Sequence, residues 1–205
     1  MPIFFQHQIN ESAKLVIWHI SDPESFFTKS IAIKSIITKE TKRLQHLAGR
    51  FLLQILEPDF PVSAIQKPTF GKPYLPNNEF QFSISHCGDF AAALVSKNQK
   101  VGIDIELTTD RVLKVTDKFL SENEKKIFSN SLQPFDASLK TLLWSAKESV
   151  FKWYGEGGVN FQEQIQVQQL NENENTIECF FSKTNQQLII HYRQFENLWL
   201  TWVHA

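Results

Sequence analysis

Apolar side chains recur along this chain in two rhythms, and each rhythm marks a kind of element. Between residues 38 and 56, Leu44, Leu47, Ala48, Phe51, Leu52, Ile55 and Leu56 return at spacings of three and four. That period predicts one face of a helix from about Thr38 to Leu56, with Thr38 as N-cap and Pro58 halting the continuation. A second stripe, Leu139, Leu142, Leu143, Ala146, Val150 and Trp153, predicts a helix over Ala137–Trp153. Ser121-Glu-Asn-Glu124 has the serine-to-glutamate spacing of a helix start.

Elsewhere the period is two. Ile3–Ile9 and Lys14–Ile20 predict a hairpin, and Phe80–Ser85, Phe90–Ser96 and Lys100–Glu106 predict three strands joined by short polar turns. Four further strands are predicted at Gln164–Gln169, Thr176–Phe181, Gln187–Arg193 and Leu198–Val203, with Asn171–Asn175 as a polar turn. A helix followed by antiparallel strands thus occurs twice. A break near residues 97–100 divides the chain into an N-terminal α+β lobe, 1–99, and a C-terminal α+β lobe, 100–205.

Composition narrows the function more than the fold. The 205 residues include eighteen Phe and five Trp, enough for a sizeable core. A formal net charge of −1 argues against a general nucleic-acid binder. No apolar run approaches the ~18 residues that span a bilayer, and the N-terminus lacks the pattern of a signal peptide. Cys87 and Cys179 have no metal-ligand spacing and read as reduced thiols of a cytoplasmic protein.

The chemistry gathers in two segments. On the strand Val101–Glu106 the alternation puts Val101, Ile103 and Ile105 on one face and Gly102, Asp104 and Glu106 on the other. Two carboxylates pointing one way repel unless a cation or solvent lies between them. Oxygen ligands of this kind suit Mg²⁺, which takes one or two carboxylates and fills its shell with water and phosphate. By spacing alone, a solvated strand face is the commoner reading. On the second strong helix, Glu148 and Lys152 stand at i and i+4 beside Trp144. They read either as a surface ion pair or as a third carboxylate with an ammonium for phosphate.

Phosphate is suggested again elsewhere. Phe80, Phe82, Ile84 and His86 alternate with Gln81, Ser83 and Ser85, so an apolar face ends in a histidine at a strand terminus. Cys87 is its neighbour on the strand and points to the opposite face, which rules out a Cys–His nucleophile. Lys67 and Lys72 bracket a Gly-Pro loop, while Arg43, His46 and Arg50 line one flank of the first strong helix.

Four of these pieces, in this order, resemble the 4′-phosphopantetheinyl transferase family in its two-lobed, monomeric Sfp type. They are Gly71-Lys72-Pro73, Phe82-Ser-Ile-Ser-His86, Val101-Gly-Ile-Asp-Ile-Glu106 and Trp144-Ser-Ala-Lys-Glu-Ser-Val-Phe-Lys152, and the resemblance covers about residues 40–165. It implies two similar α+β lobes related by a pseudo-twofold. It also implies transfer of the 4′-phosphopantetheine of coenzyme A to a serine of an apo acyl or peptidyl carrier protein, releasing 3′,5′-ADP. Asp104, Glu106 and Glu148 would be the Mg²⁺ ligands, Glu148 the candidate general base and Lys152 a phosphate contact. Lys67, Lys72, Ser85 and His86 would hold the nucleotide and its 3′-phosphate, with Arg50, Lys39, Lys42 and Arg43 as further candidates. Which carboxylate takes the proton stays open. One departure is Glu156, in Lys152-Trp-Tyr-Gly-Glu-Gly-Gly158, where the family commonly has a basic residue.

Two rival readings use the same residues. A Mg²⁺-dependent phosphohydrolase would employ the carboxylates with water as nucleophile. A catalytically silent carrier-binding module would keep the fold without the chemistry. A monomer suffices in the main reading, because both walls of the cleft lie in one chain.

Overall fold

The period-two segments pair into two antiparallel sheets, each covered on one side by one of the two strong helices. The computed structural model describes residues 3–32, 37–130 and 134–205. Its first sheet contains β1 (Ile3–Gln8), β2 (Ala13–His19), β3 (Gln81–Cys87) and β4 (Phe90–Ser96), in the order β1-β2-β4-β3. Between β2 and β3 lie α1 (Glu24–Phe27) and α2 (Glu40–Leu56). The second sheet runs β5-β9-β8-β7-β6, built from β5 (Val101–Leu107), β6 (Ile165–Asn171), β7 (Thr176–Phe181), β8 (Gln186–Phe195) and β9 (Leu198–His204). Between β5 and β6 lie a 3₁₀ turn (Asp110–Lys114), α3 (Thr116–Phe119), α4 (Glu122–Ser129), α5 (Ala137–Tyr154) and α6 (Phe161–Gln164). The α+β architecture with two lobes is the one expected, and all nine expected strands are present.

Alternation along the strands sorts the core into layers. In β2 and β4, Val16, Trp18, Ala91, Ala93 and Val95 pack toward α2 with Leu47, Leu52 and Leu53. Their alternates Leu15, Ile17, Ala92 and Leu94 pack instead against Val101, Ile103, Ile105, Leu198 and Leu200 of the second sheet. The opposite face of that sheet, with Ile177, Ile190, Trp199 and Val203, is covered by Leu139, Leu142, Leu143, Ala146, Val150 and Trp153 of α5. The result is four layers: α2, first sheet, second sheet, α5. The whole stripe expected for α5 is buried.

Where the sheets meet, β3 and β5 are both edge strands, and they do not pair through their backbones. Three β3 side chains do that work. Ile103, Ile105 and Leu107 donate their backbone N–H groups to Ser83 Oγ, Ser85 Oγ and Cys87 Sγ at 3.1, 3.3 and 3.3 Å. Buried donors left unpaired are costly, so a strand edge here needs such acceptors. The polar face of Ser83, Ser85 and Cys87 is therefore a seam between lobes.

Two expectations for α2 need correction. The helix begins at Glu40, and Lys39 occupies the N-cap with no side-chain cap, so Thr38 does not cap it. Arg43 explains why: it grips Glu24 at 2.9 Å and donates to the carbonyls of Ile37 and Thr38 at 3.1 and 2.9 Å, tying down the preceding chain. Ile55, expected in the stripe, lies at the surface, while Gln45, Gly49 and Leu53 are buried. The buried arc includes a polar residue because Gln45 Nε2–H reaches the Gly88 carbonyl at 2.8 Å. It includes a glycine because a Cβ at Gly49 would lie 2.5 Å from Ile84 Cγ2.

The second lobe carries a buried ion pair that the apolar pattern does not reveal. Lys147 is 0% exposed, and its ammonium meets Glu124 at 2.7 Å. It also donates to the carbonyls of Phe119 and Phe161 at 2.7 and 2.8 Å. Glu124 completes the expected capping box with Ser121 and accepts the Val167 N–H at 2.9 Å. One pair thus binds α3, α4, α6 and β6 to α5.

Candidate active site

The sequence pattern sets one face of β5 against α5, and glycine makes the approach close. A Cβ at Gly102 would lie 2.0 Å from the Ser149 carbonyl oxygen and 2.5 Å from the Trp153 nitrogen. Asp104 and Glu106 follow on that face, as expected, and meet the helix face bearing Trp144, Ser145, Glu148 and Lys152. Ile84, Ser85, His86, Asp104, Glu106, Trp144, Glu148 and Lys152 line a cleft of 320 Å³. Five residues expected at the site therefore share one cavity with Glu106.

Asp104 is 2% exposed and fully partnered. Its Oδ1 accepts from Ser85 Oγ at 2.8 Å and from Lys152 Nζ at 2.6 Å, and its Oδ2 accepts from Ser145 Oγ at 2.8 Å. Ser145 is itself positioned by Thr201 at 3.0 Å. Lys152 also donates to Ser85 Oγ at 2.9 Å. The surface ion pair considered for Glu148 and Lys152 is not what forms, because the ammonium crosses to β5.

Glu106 and Glu148 are the carboxylates short of positive charge. Burial, then the Asp104 charge, pushes the Glu106 carboxyl up. Its oxygens are held by Cys87 Sγ–H at 3.3 Å and by Trp144 Nε1–H at 3.4 Å. Burial and then the Asp104 charge raise Glu148 to about 7, against the opposing pull of Lys152. The rejection of a Cys87 nucleophile agrees with its chemistry: burial pushes the thiol up to about 12.

Hard oxygen donors with unneutralised charge fit a divalent cation such as Mg²⁺. Among the described residues no three His, Cys, Asp or Glu side chains close into a metal cage. Mg²⁺ does not require one, since it keeps several waters and binds one or two carboxylates together with phosphate.

The first lobe supplies the cationic wall. Lys42 and Lys152 act on His86, whose imidazole is held low by burial first and by Lys42 next. Burial, followed by the charges of Arg50, Lys67 and His86, lowers His46 to about 4. Neutral His46 accepts at Nδ1 from Arg50 Nη1 at 3.1 Å. Arg50, Lys67 and His86 thus all act on His46. Arg43 does not, being committed to Glu24.

Lys72 takes a different position. Gly71, with φ of 96°, turns the chain so closely onto the end of α5 that a Cβ there would lie 2.1 Å from the Gly155 carbonyl oxygen. Lys72 N–H then donates to Gly155 O at 3.0 Å, and its Nζ donates to Val101 O at 2.7 Å. Burial, and then the Lys100 charge, lowers this ammonium to about 7. A 200 Å³ cavity beside it is lined by Gly71, Lys72, Pro73, Phe82, Ser83, Ile84, Phe151 and Lys152. It adjoins the carboxylate cleft through Ile84 and Lys152.

Around Glu156, the position that departs from the family, Tyr154 O–H donates to its Oε2 at 3.1 Å. A cation reaches this turn from the β7–β8 hairpin: Lys183 donates to Gly158 O at 2.6 Å and lies 5.1 Å from the centre of the Tyr154 ring. Sequence reasoning missed Lys183, Ser145, Thr201 and Lys147. Only Lys147 carried a visible signal, a charged residue inside the apolar stripe of a helix.

Comparison with known proteins identifies the family. The family model of the 4′-phosphopantetheinyl transferase superfamily matches residues 100–203, and the chain belongs to that superfamily. It is 32% identical over 111 residues to "4′-phosphopantetheinyl transferase gsp" of Aneurinibacillus migulanus, covering 54% of this chain and 46% of that protein. It is 34% identical over 120 residues to "Enterobactin synthase component D" of Salmonella typhi, covering 56% and 49%. The protein of that name from Escherichia coli (strain K12) is 34% identical over 116 residues, covering 54% of each chain. The chain spans about half the length of the curated relatives it matches.

Proposed function

We propose that the chain transfers the 4′-phosphopantetheine group of coenzyme A to a serine of an apo carrier protein, releasing 3′,5′-ADP. The observation that carries this reading is the cleft in which Asp104, Glu106, Glu148 and Lys152 meet beside a cationic wall. Carboxylates alone would repel a pyrophosphate. Arg50 and Lys67 would provide its electrostatic reception at the nucleotide end, with the His86 imidazole beside them and Lys72 in the adjoining cavity. Asp104, Glu106 and Glu148 would hold Mg²⁺, which when bound neutralises phosphate charge.

Each side chain then has a task. Lys152, fixed by Asp104 and Ser85, faces the charge that develops on the departing nucleotide phosphate. Glu148, raised to about 7, is poised to take the proton of an attacking hydroxyl near neutral pH. The serine oxygen bonds to the phosphorus that bears pantetheine, and the bond from that phosphorus to the oxygen of 3′,5′-ADP breaks. Ser85 and Ser145 hold Asp104, and Cys87 and Trp144 hold Glu106, so neither carboxylate must be ordered when substrate arrives.

The unpaired thiols Cys87 and Cys179 suit a reducing compartment, the cytoplasm, and among the described residues no helix is long and apolar enough to cross a membrane. The test is chromatography of nucleotide products from coenzyme A and Mg²⁺ with and without apo carrier protein. Release of 3′,5′-ADP only when carrier is present supports transfer. Release without carrier would make the protein a phosphohydrolase, and no release in either case would make it a silent binding module.

A further inference from the structure

The chain leaves α5 through a turn that its own composition makes soft. Gly155, Gly157 and Gly158 lie in the left-handed region, with φ of 82°, 76° and 61°. Glycines lose more backbone freedom on ordering than any other residue, so such a turn must be tied down from outside. Gly155 ends the helix, its N–H donating to Phe151 O at 3.0 Å. Beyond it, among the described residues, the only hydrogen bonds to Gly157 and Gly158 come from Lys183 on the β7–β8 turn. Its ammonium donates to Gly157 O at 3.3 Å and to Gly158 O at 2.6 Å.

The turn stands between two cavities. Gly158 lines a groove of 760 Å³ with Trp144, Glu148 and Phe151, while Gly71 and Lys72 line the 200 Å³ cavity with Phe151 and Lys152. The first lobe presses on the turn at two points. Lys72 N–H donates to Gly155 O, and a Cβ at Gly157 would lie 3.3 Å from both Gly71 N and Phe70 Cβ. The second lobe answers with Lys183. An exposed lysine is ordinarily a solvated charge. This one forms no ion pair among the described residues and directs its ammonium to two adjacent backbone carbonyls. Without it, no hydrogen bond would hold residues 157–158 against Gly71.

We propose that Lys183 is a positioning residue for the nucleotide end of the site, acting through this turn on Lys72. With the turn fixed, Gly155 O holds the Lys72 backbone, and the Lys72 ammonium is set at the cavity that receives the nucleotide. With the turn loose, coenzyme A must order it on arrival, and that ordering weakens binding. The transfer step itself is untouched, because no hydrogen bond or ion pair joins Lys183 to Asp104, Glu106, Glu148 or Lys152. This assignment rests on the transferase reading and adds a residue that governs affinity for coenzyme A from outside the cleft.

The experiment compares three variants of the intact chain. Lys183→Met keeps an aliphatic stem beside the Tyr154 ring and removes the donors, Lys183→Arg keeps donors, and Lys97→Met on the exposed β4–β5 turn is the control. Measured are kcat and KM in transfer, the Kd of coenzyme A by calorimetry, and amide hydrogen exchange. In Lys183→Met, KM and Kd for coenzyme A should rise about fivefold, the scale of one lost hydrogen bond, with kcat within about twofold of wild type. The Lys72 N–H, whose acceptor is Gly155 O, should exchange about fivefold faster or more. Lys183→Arg should recover most of the affinity, and Lys97→Met should change nothing. Unchanged affinity for coenzyme A in Lys183→Met overturns the assignment and leaves the transferase reading intact. So does a loss that Lys183→Arg fully shares, or a fall in kcat at unchanged KM. Weaker affinity with unchanged exchange at Lys72 overturns it too, because the effect would not pass through the turn. If wild type binds coenzyme A without transfer and Lys183→Met weakens that binding, the positioning role stands and the transferase reading falls. Absence of coenzyme A binding by wild type overturns both.

Discussion

Lys152 Nζ lies 2.6 Å from Asp104 Oδ1, on the strand across the cleft, and not on Glu148 one turn back along its own helix. The ammonium thereby orients the Asp104 carboxylate and still borders the cleft in which phosphate would lie. Lys152→Met keeps much of the aliphatic stem and removes the charge. The expected result is a fall in transfer rate of about 10²-fold or more, the scale for losing a preorganised charge donor. Circular dichroism would check that the fold survives; a rate within about threefold of wild type would free Lys152 from the mechanism.

The carboxyl of Glu148 links the site to pH. Its folded value of about 7 lies above its ordinary value of 4.5, so without metal the folded chain binds the extra proton between those limits. Stability from this group is fully present below 4.5 and is lost as pH rises through about 7. In chelator, Glu148→Gln should therefore match wild type in Tm near pH 4.5 and exceed it at pH 8. Adding Mg²⁺ should raise the wild-type Tm more at pH 8 than at pH 5, because the cation needs deprotonated carboxylates. A Mg²⁺ shift independent of pH would contradict the ligand set.

Lys72 makes an opposite prediction for protons. Its ammonium is lowered to about 7, so at pH 8 it is largely neutral in the free protein. An arriving phosphate favours the charged form and draws a proton from buffer. Titrating coenzyme A in chelator at pH 8, in two buffers of different ionisation enthalpy, should show uptake of a proton that Lys72→Met abolishes. Identical heats in both buffers would remove Lys72 from the nucleotide site.

The Lys147–Glu124 pair is structural, and cutting it from one side should be severe. Lys147→Met leaves Glu124 buried without its cation, which costs about 3–5 kcal/mol. Lys147→Met combined with Glu124→Gln should recover part of the loss in denaturant midpoint, because no buried charge then stands alone. Additive losses in the double variant would show that the two residues act separately.

The elements and the carboxylate-bearing face were legible in the sequence because they depend on periodicity. Gly102, Asp104 and Glu106 share a face by the pleat of a strand, and the α5 stripe follows from spacing. What was not legible depends on partners distant in sequence. Nothing local reveals that Lys152 chooses Asp104, that Ser83, Ser85 and Cys87 cap a foreign strand edge, or that Gln45 is buried to reach Gly88. Ile55 shows the reverse failure: an apolar residue at helical spacing that the packed arc happens to leave outside. The stacking of two sheets face to face was present in one clue only, the double-sided apolarity of β2 and β4.

The most direct test of the central claim is intact-mass analysis of an apo carrier protein after incubation with the chain, coenzyme A and Mg²⁺, followed by fragmentation. The account predicts one phosphopantetheine per carrier, attached to its serine, with wild type and none with Glu148→Gln of native fold. An unmodified carrier with wild type, or near-normal modification by Glu148→Gln, would contradict it.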